Sequence, residues 1–392
     1  MLEPLAFTVF ANPRCGTPGV VVLPSAGFRR AHAEITSWDG YVPTPLHDLP
    51  EIAAQAGVAA VRLKDESGRF GLGSFKALGG AYAVVRLLAA ELARTGKARG
   101  VTSAELTDGR YAEFTSAITV TCATDGNHGR AVAWGAARFH ARCVIFVHET
   151  VCPARVDGMA RYGAEIHRVS GTYDEAVREA AKQAEANGWF LVSDTSWPGY
   201  TEVPRDVMQG YRVMAHEAAA QWTAGWSVDG PPTHVFVPAG VGGVATAVSV
   251  HARALAPLPS LIVVEPDRAA CLLTSAQLGE PTTVPGDLDT IMAGLACGTP
   301  SLLAWQELER GAAAFMAIPD EAIGPCMRLL ARHGIEAGES GVAGLAALLL
   351  AAGDPVARET LGLGPASRVL LYSTEGATDP EFYQEITSSR DF

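Results

Sequence analysis

Arg62-Leu-Lys-Asp-Glu-Ser-Gly-Arg-Phe-Gly-Leu-Gly-Ser-Phe-Lys76 runs from a strand-like segment, through a glycine-rich turn, to a lysine that precedes the helix-like run after Gly80. A lysine in a partly apolar turn can lose part of its hydration. Desolvation lowers the pKa of an amine and frees it to condense with an aldehyde. The plainer reading makes Lys76 a solvated surface lysine, and this stretch alone does not separate the two. The rest of the chain has to decide.

Composition narrows the field. The chain has 392 residues, enough for two domains with real cores, and 48% of them are hydrophobic against 18% charged. That balance fits a compact enzyme-like protein rather than a disordered one. A net charge of -12 without a basic stripe argues against a nucleic-acid partner. Seven cysteines without CxxC spacing, and an N-terminus without a basic segment followed by an apolar core, lead us to expect a cytoplasmic protein with no metal site. The longest apolar stretch, Val342 to Ala352, is too short to span a bilayer.

From about residue 117 the chain alternates β-branched runs with helix-period segments. Segments 117–121, 143–147, 165–169, 190–192, 234–237, 261–264 and 369–372 read as buried strands. Helices are expected over 128–139, 173–187, 203–221, 243–255 and 320–333, and exposed loops over 96–112 and 223–232. Such alternation predicts an α/β protein with mostly parallel twisted sheets flanked by helices, binding its ligand outside the carboxyl ends of the strands.

Four further motifs lie at those ends. Pro238-Ala-Gly-Val-Gly-Gly-Val-Ala245 follows a strand and opens a helix, so its backbone N–H groups can approach an anion closely. It has neither the Lys-Ser/Thr pair of a nucleoside-triphosphate loop nor full GxGxxG spacing. It suits a monophosphate, or is simply a tight strand–helix turn. Thr121-Cys-Ala-Thr-Asp-Gly-Asn-His-Gly129 carries more polar side chains than a helix cap requires, so Thr124, Asp125, Gly126, Asn127 and His128 are read as a ligand loop. In Val192-Ser-Asp-Thr-Ser-Trp-Pro-Gly-Tyr200, Asp194 either faces a cationic group or caps the next turn. Tyr372-Ser-Thr-Glu-Gly376 offers hydroxyls that either contact a ring nitrogen or cap a turn.

Together these motifs resemble those of fold-type II pyridoxal phosphate enzymes (tryptophan synthase beta-like), and within them the diaminopropionate ammonia-lyase family. The most specific segments are Lys64-Asp-Glu-Ser with Arg69-Phe-Gly-Leu, Thr124-Asp-Gly-Asn-His-Gly129, Gln209-Gly-Tyr211, Thr290-Ile-Met-Ala-Gly-Leu-Ala-Cys-Gly298 and Glu339-Ser-Gly341. The resemblance spans nearly the whole chain, from Gly40 to Gly376. It implies two domains, a large one over 1–80 plus 201–392 and a small one over 81–200. It implies that Lys76, beside Phe75, carries pyridoxal 5′-phosphate, that Gly240, Val241, Gly242, Gly243 and Val244 hold the phosphate, and that Asn127 sits by the 3′-oxygen. Ser373 or Thr374 would adjoin the pyridine nitrogen, with the choice left open. Thr124, Asp125, Gly126, His128 and Asp194 would receive the amino-acid substrate.

Asp125 carries the most substrate information. Serine and threonine dehydratases of this fold usually have a small or hydroxyl residue at its place. A carboxylate makes sense for a substrate with a second ammonium, as in 2,3-diaminopropionate, and Asp194 could complete that pocket. The resemblance makes Lys76 the base for the L-isomer and Asp125 the base for the D-isomer, with pyruvate and two ammonia as products. It also implies a homodimer. Gly73-Ser74 before Phe75, Cys122-Ala123 before Thr124 and Ala245-Thr246-Ala247 after the phosphate loop depart from the family pattern. Cys271 and Cys297 stand where the family also has cysteines, as buried thiols or as a pair. The rival readings are a serine/threonine dehydratase or β-replacement enzyme, and a non-catalytic pyridoxal-phosphate-binding protein.

Overall fold

The computed structural model describes residues 5–224, 230–253, 255 and 257–388. Eleven strands occur among them: β1 (Thr8–Ala11), β2 (Leu46–Asp48), β3 (Ala60–Asp65), β4 (Thr119–Ala123), β5 (Arg142–His148), β6 (Glu165–Val169), β7 (Phe190–Leu191), β8 (His234–Pro238), β9 (Ser260–Pro266), β10 (Ala314–Ile318) and β11 (Arg368–Ser373). The chain forms two compact units, one of Met1–Val22, Pro43–Gly68 and Met214–Phe392, the other of Leu23–Val42 and Arg69–Val213.

In the larger unit a seven-stranded sheet has the order β1-β10-β9-β8-β11-β3-β2. Its five inner strands are parallel, and the edge strands β1 and β2 run antiparallel to their neighbours. Val, Ile, Leu and Phe fill the inner strands because both faces are covered. The helix Ala343–Gly353 is buried almost all round, as its unbroken Ala/Leu sequence requires. A buried ion pair also belongs here. Lys64 Nζ donates to Glu217 Oε2 at 2.7 Å, to the Thr44 carbonyl at 2.7 Å and to Gln221 Oε1 at 2.9 Å.

The smaller unit holds a parallel four-stranded sheet in the order β6-β5-β4-β7. From β4 the chain steps outward to β5 and β6, then returns to the other side of β4 as β7. Between β4 and β7 the direction of winding reverses, and in open parallel sheets that switch point opens a crevice at the carboxyl ends. The helices Ala77–Arg94 and Asn127–Arg138 pack through small residues: a Cβ at Gly80 would lie 3.0 Å from the Ala131 Cβ, and one at Gly135 would lie 2.8 Å from Ala81 Cα. The helix Glu202–Thr223 approaches the first of them more closely still. A Cβ at Gly210 would stand 1.8 Å from the Leu78 carbonyl oxygen, and one at Gly79 would stand 2.4 Å from the Tyr211 ring.

The strands expected from residue 117 onward are present with ends shifted by a few residues, but β6 is largely exposed and β7 half-buried rather than buried, and β1, β2 and β10 were not foreseen. Within 96–112 the chain forms a short helix, Ser103–Thr107, started by a Thr102/Glu105 capping box. Residues 225–229, inside the other expected loop, lie outside the described residues. The expected domain division put 23–42, 69–80 and 201–213 with the large domain; the compact units put all three in the smaller one. Long-range bonds that no local pattern displays account for this. Gln209 Nε2 donates to the Pro24 carbonyl at 2.9 Å and Arg212 Nη1 to the Leu23 carbonyl at 3.2 Å. No helix among the described residues is long and apolar enough to cross a membrane.

Candidate active site

Lys76 is the N-cap of the helix Ala77–Arg94, which begins four residues before the helix-like run expected after Gly80. Its Nζ donates to Asp194 Oδ2 at 2.5 Å and lies 5.4 and 5.8 Å from the ring centroids of Phe75 and Tyr211. Those rings pack tilted against each other, 4.6 Å between centroids. The close approach of Gly79 and Gly210 sets Tyr211 in that position. A cation over aromatic faces is held electrostatically while the same faces restrict water.

Asp194 reaches this amine from the loop after β7. Its second oxygen accepts from Tyr173 Oη at 3.0 Å, and Tyr173 opens the helix Tyr173–Asn187. Burial alone would raise the Asp194 carboxyl. The neighbouring Lys76 and His128, with the hydrogen bonds from Lys76 and Tyr173, outweigh it and hold the group well below the usual carboxylate range. Of the two roles open to Asp194, facing a cation is the one observed, and the cation is Lys76.

His128 lies beside this pair, its Nδ1 3.9 Å from Asp194 Oδ2. Its Nε2 bonds the Val192 carbonyl at 2.7 Å, and an acceptor there requires the proton on Nε2. Burial pushes the His128 pKa down, so the ring is neutral near pH 7.

The loop after β4 is organised by Thr124, whose Oγ1 accepts from the N–H groups of Gly126 and Gly129 at 2.9 and 3.0 Å. That oxygen holds the turn, which is the physical content of a position read from sequence as a substrate contact. Gly126 adopts φ +143°, open only to glycine, and so lets Asn127 begin the next helix. Asp125 Oδ1 lies 2.9 Å from His148 Nε2, and the Arg155 guanidinium donates to the Asp125 carbonyl at 3.3 Å. The smaller unit thus brings together Lys76, Phe75, His128 and Asp194, with Asp125 and Asn127 on the adjoining loop.

Sequence reasoning missed Tyr173 and His148 and noted Tyr211 only as part of a motif. The available signals were faint: a tyrosine directly after a capping threonine, and a histidine closing the apolar run of β5.

The larger unit, taken by itself, carries the glycine turn. Gly240 follows β8, and a Cβ there would come 2.9 Å from Cys297 Sγ, so only a bare backbone fits. Gly242 at φ +97° caps the helix Gly243–Ala252 with no side-chain hydrogen bond. Gly243 and Val244 are accordingly helical residues rather than loop. Ser373 ends β11, and its Oγ lies 3.5 Å from the Glu375 carbonyl; Thr374 is buried next to it. Cys271 and Cys297 are thiols, not a disulfide. Cys271 Sγ lies 3.7 Å from the Gly240 carbonyl.

The sequence that forms these two units matches a family model described as pyridoxal-phosphate dependent enzyme over residues 38–371. The chain belongs to that family. It is 37% identical over 360 residues to diaminopropionate ammonia-lyase of Salmonella typhimurium, covering 88% of each chain. It is 38% identical over 372 residues to that of Escherichia coli, covering 91% of this chain and 89% of the relative. The crystal structure of holo diaminopropionate ammonia lyase from Escherichia coli superposes with a TM-score of 0.89 at 35% identity, covering 99% and 98% of the two chains. A tomato threonine deaminase, at 19% identity and TM-score 0.72 over 99% of this chain and 93% of its own, shares the fold. The family resemblance read from the motifs therefore holds over most of the chain.

Each unit, taken by itself, carries residues that fit one part of pyridoxal phosphate. The smaller unit has an amine, Lys76, for the aldehyde. In the larger unit, at Gly240, a Cβ would fill the space beside the turn. The uncapped start of the helix at Gly243 leaves backbone N–H donors suited to a phosphate.

Proposed function

We propose that this chain catalyses α,β-elimination of 2,3-diaminopropionate, in both enantiomers, to pyruvate and two molecules of ammonia. The supporting observation is that one unit holds an amine and a separate carboxylate, each with its own polar partner: Lys76 with Asp194, and Asp125 with His148.

Lys76 would carry the cofactor and Gly240–Val244 would hold its phosphate; as the family resemblance implies, Asn127 would serve its 3′-oxygen and Ser373 or Thr374 its ring nitrogen. Bound pyridoxal phosphate supplies an electron sink for the carbanion formed at Cα. Lys76 Nζ takes the Cα proton of the L-isomer, and the Asp125 carboxylate takes that of the D-isomer. One well-placed base contributes ~10²–10⁴-fold. Asp194 and Tyr173 hold the Lys76 amine in place, while neutral His128 lines that contact without adding charge. Asp125 also compensates the substrate's second ammonium, a charge-assisted contact of roughly 1.5–3 kcal/mol. The β-amino group leaves protonated, because an amide ion is too poor a leaving group.

The test is pyruvate release from L- and D-diaminopropionate and from L-serine. Turnover of both diamines well above serine is expected. Activity on serine without activity on the diamines overturns the reading, as does an Asp125→Ala variant with unchanged diamine turnover. The same reading makes the protein a cytoplasmic homodimer, which sedimentation can check; a monomeric mass would refute the dimer.

A further inference from the structure

We propose that His148 is a positioning residue for Asp125, fixing one of its carboxylate oxygens through a hydrogen-bond chain that starts at Thr150. This rests on Asp125 being the base for the D-isomer.

The parallel register of β4 and β5 brings the two residues together. Ala123 pairs with Phe146, and Thr124 N–H still donates to the Phe146 carbonyl at 3.1 Å. Two residues further along each strand, at the same offset, Asp125 meets His148. The Nε2–Oδ1 distance is 2.9 Å, with side-chain exposures of 18% for His148 and 13% for Asp125. Thr150 Oγ1 lies 2.8 Å from His148 Nδ1. An ionised carboxylate only accepts, so the proton sits on Nε2. In the Nε2–H tautomer Nδ1 accepts from the Thr150 hydroxyl. Among the described residues His148 is the one side chain bonded to the Asp125 carboxylate. With Oδ1 engaged, Oδ2 remains to take a proton.

The other charged groups on the surrounding elements are directed elsewhere. Arg155, on the helix Pro153–Ala160, donates to the Asp125 main-chain carbonyl. Arg168, on β6, donates to the carbonyls of Glu149 and Val151 at 2.9 and 3.1 Å. His167 bonds Glu165 and stacks on Phe146. The Glu149 carboxylate lies 3.5 Å from the Gly171 N–H. His148 is the group placed to act on Asp125 itself.

In the holoenzyme, His148→Leu should lower kcat/KM for the D-isomer roughly tenfold. That for the L-isomer should be unchanged. His148→Gln, whose amide N–H replaces Nε2–H, should restore D-isomer turnover. A readout independent of turnover is ¹⁵N NMR of histidine-labelled holoenzyme, with the His148 signals assigned by their loss in His148→Gln. They should report the Nε2–H tautomer in the wild type and change in Asp125→Asn. Thr150→Val, at the solvent end of the chain, should lower D-isomer kcat/KM by less, and serves if His148→Leu does not fold. Unchanged D-isomer kcat/KM in both variants, or an Nδ1–H tautomer, overturns the proposal. Asp125→Asn with undiminished D-isomer turnover overturns the base assignment instead. An inactive Asp125→Asn beside a fully active His148→Leu overturns only the role of His148.

Discussion

Two lysines separated by twelve positions illustrate how alike residues diverge. Lys64 stands on β3, next to the edge strand of the larger unit's sheet, its side chain fully buried, with Glu217, Gln221 and the Thr44 carbonyl around its head. Lys76 stands at a helix start in the smaller unit, 19% exposed, held by Asp194 beside two aromatic rings. Both have carboxylate partners. Lys64 is sealed from any ligand, whereas the Lys76 amine sits where a small molecule can reach it. Accessibility, rather than pairing, separates a structural lysine from a chemical one.

The largest effect that could break this comparison is on turnover. Lys76→Ala should reduce pyruvate release from both enantiomers by at least about 10²–10⁴-fold. Its partner Asp194 is buried, so thermal stability should fall as well. Lys64→Met should leave turnover largely intact while leaving the buried Glu217 uncompensated, lowering denaturant stability by roughly 3–5 kcal/mol. A Lys64→Met variant that loses turnover as Lys76→Ala does would erase the distinction.

Gly210→Ala comes next. Its new Cβ has no room beside the Leu78 carbonyl, so a cost of about 1–3 kcal/mol is expected from melting curves. A fall in activity should accompany it as Tyr211 moves off the lysine.

Tyr173→Phe removes one hydrogen bond to Asp194 and should cost about 0.5–1.5 kcal/mol. The smallest effect is in acid. The Asp194 carboxyl ionises at lower pH folded than unfolded, so its contribution to stability is complete above the unfolded pKa of about 3.9 and is lost as pH falls. Asp194→Asn should flatten that acid branch of the stability curve.

Much of this was legible in the sequence. Strand–helix alternation gave the parallel sheets, because strands covered on both faces must be apolar throughout. Lys76 and the loop after β4 stood out because polar residues and glycines gathered at strand ends. What local sequence could not display was the use each group is put to. Lys64 sits in a motif as specific as that of Lys76, yet its partners lie at Thr44, Glu217 and Gln221, brought in by the fold. Thr124 was read as a ligand contact, and local sequence did not show that its oxygen also accepts from two backbone N–H groups. Residues 23–42 joined the smaller unit through bonds from Gln209 and Arg212, far along the chain.

The reversal of winding between β4 and β7 has a bearing on how such a protein can diversify. The loop after β7 supplies the partner of Lys76, while the loop after β4, with the end of β5, supplies Asp125 and His148. On the proposed function, changes at Asp125, His148 or Thr150 would alter which stereoisomer or β-substituent is accepted while the Lys76–Asp194 pair stays intact. The two loops could then vary separately.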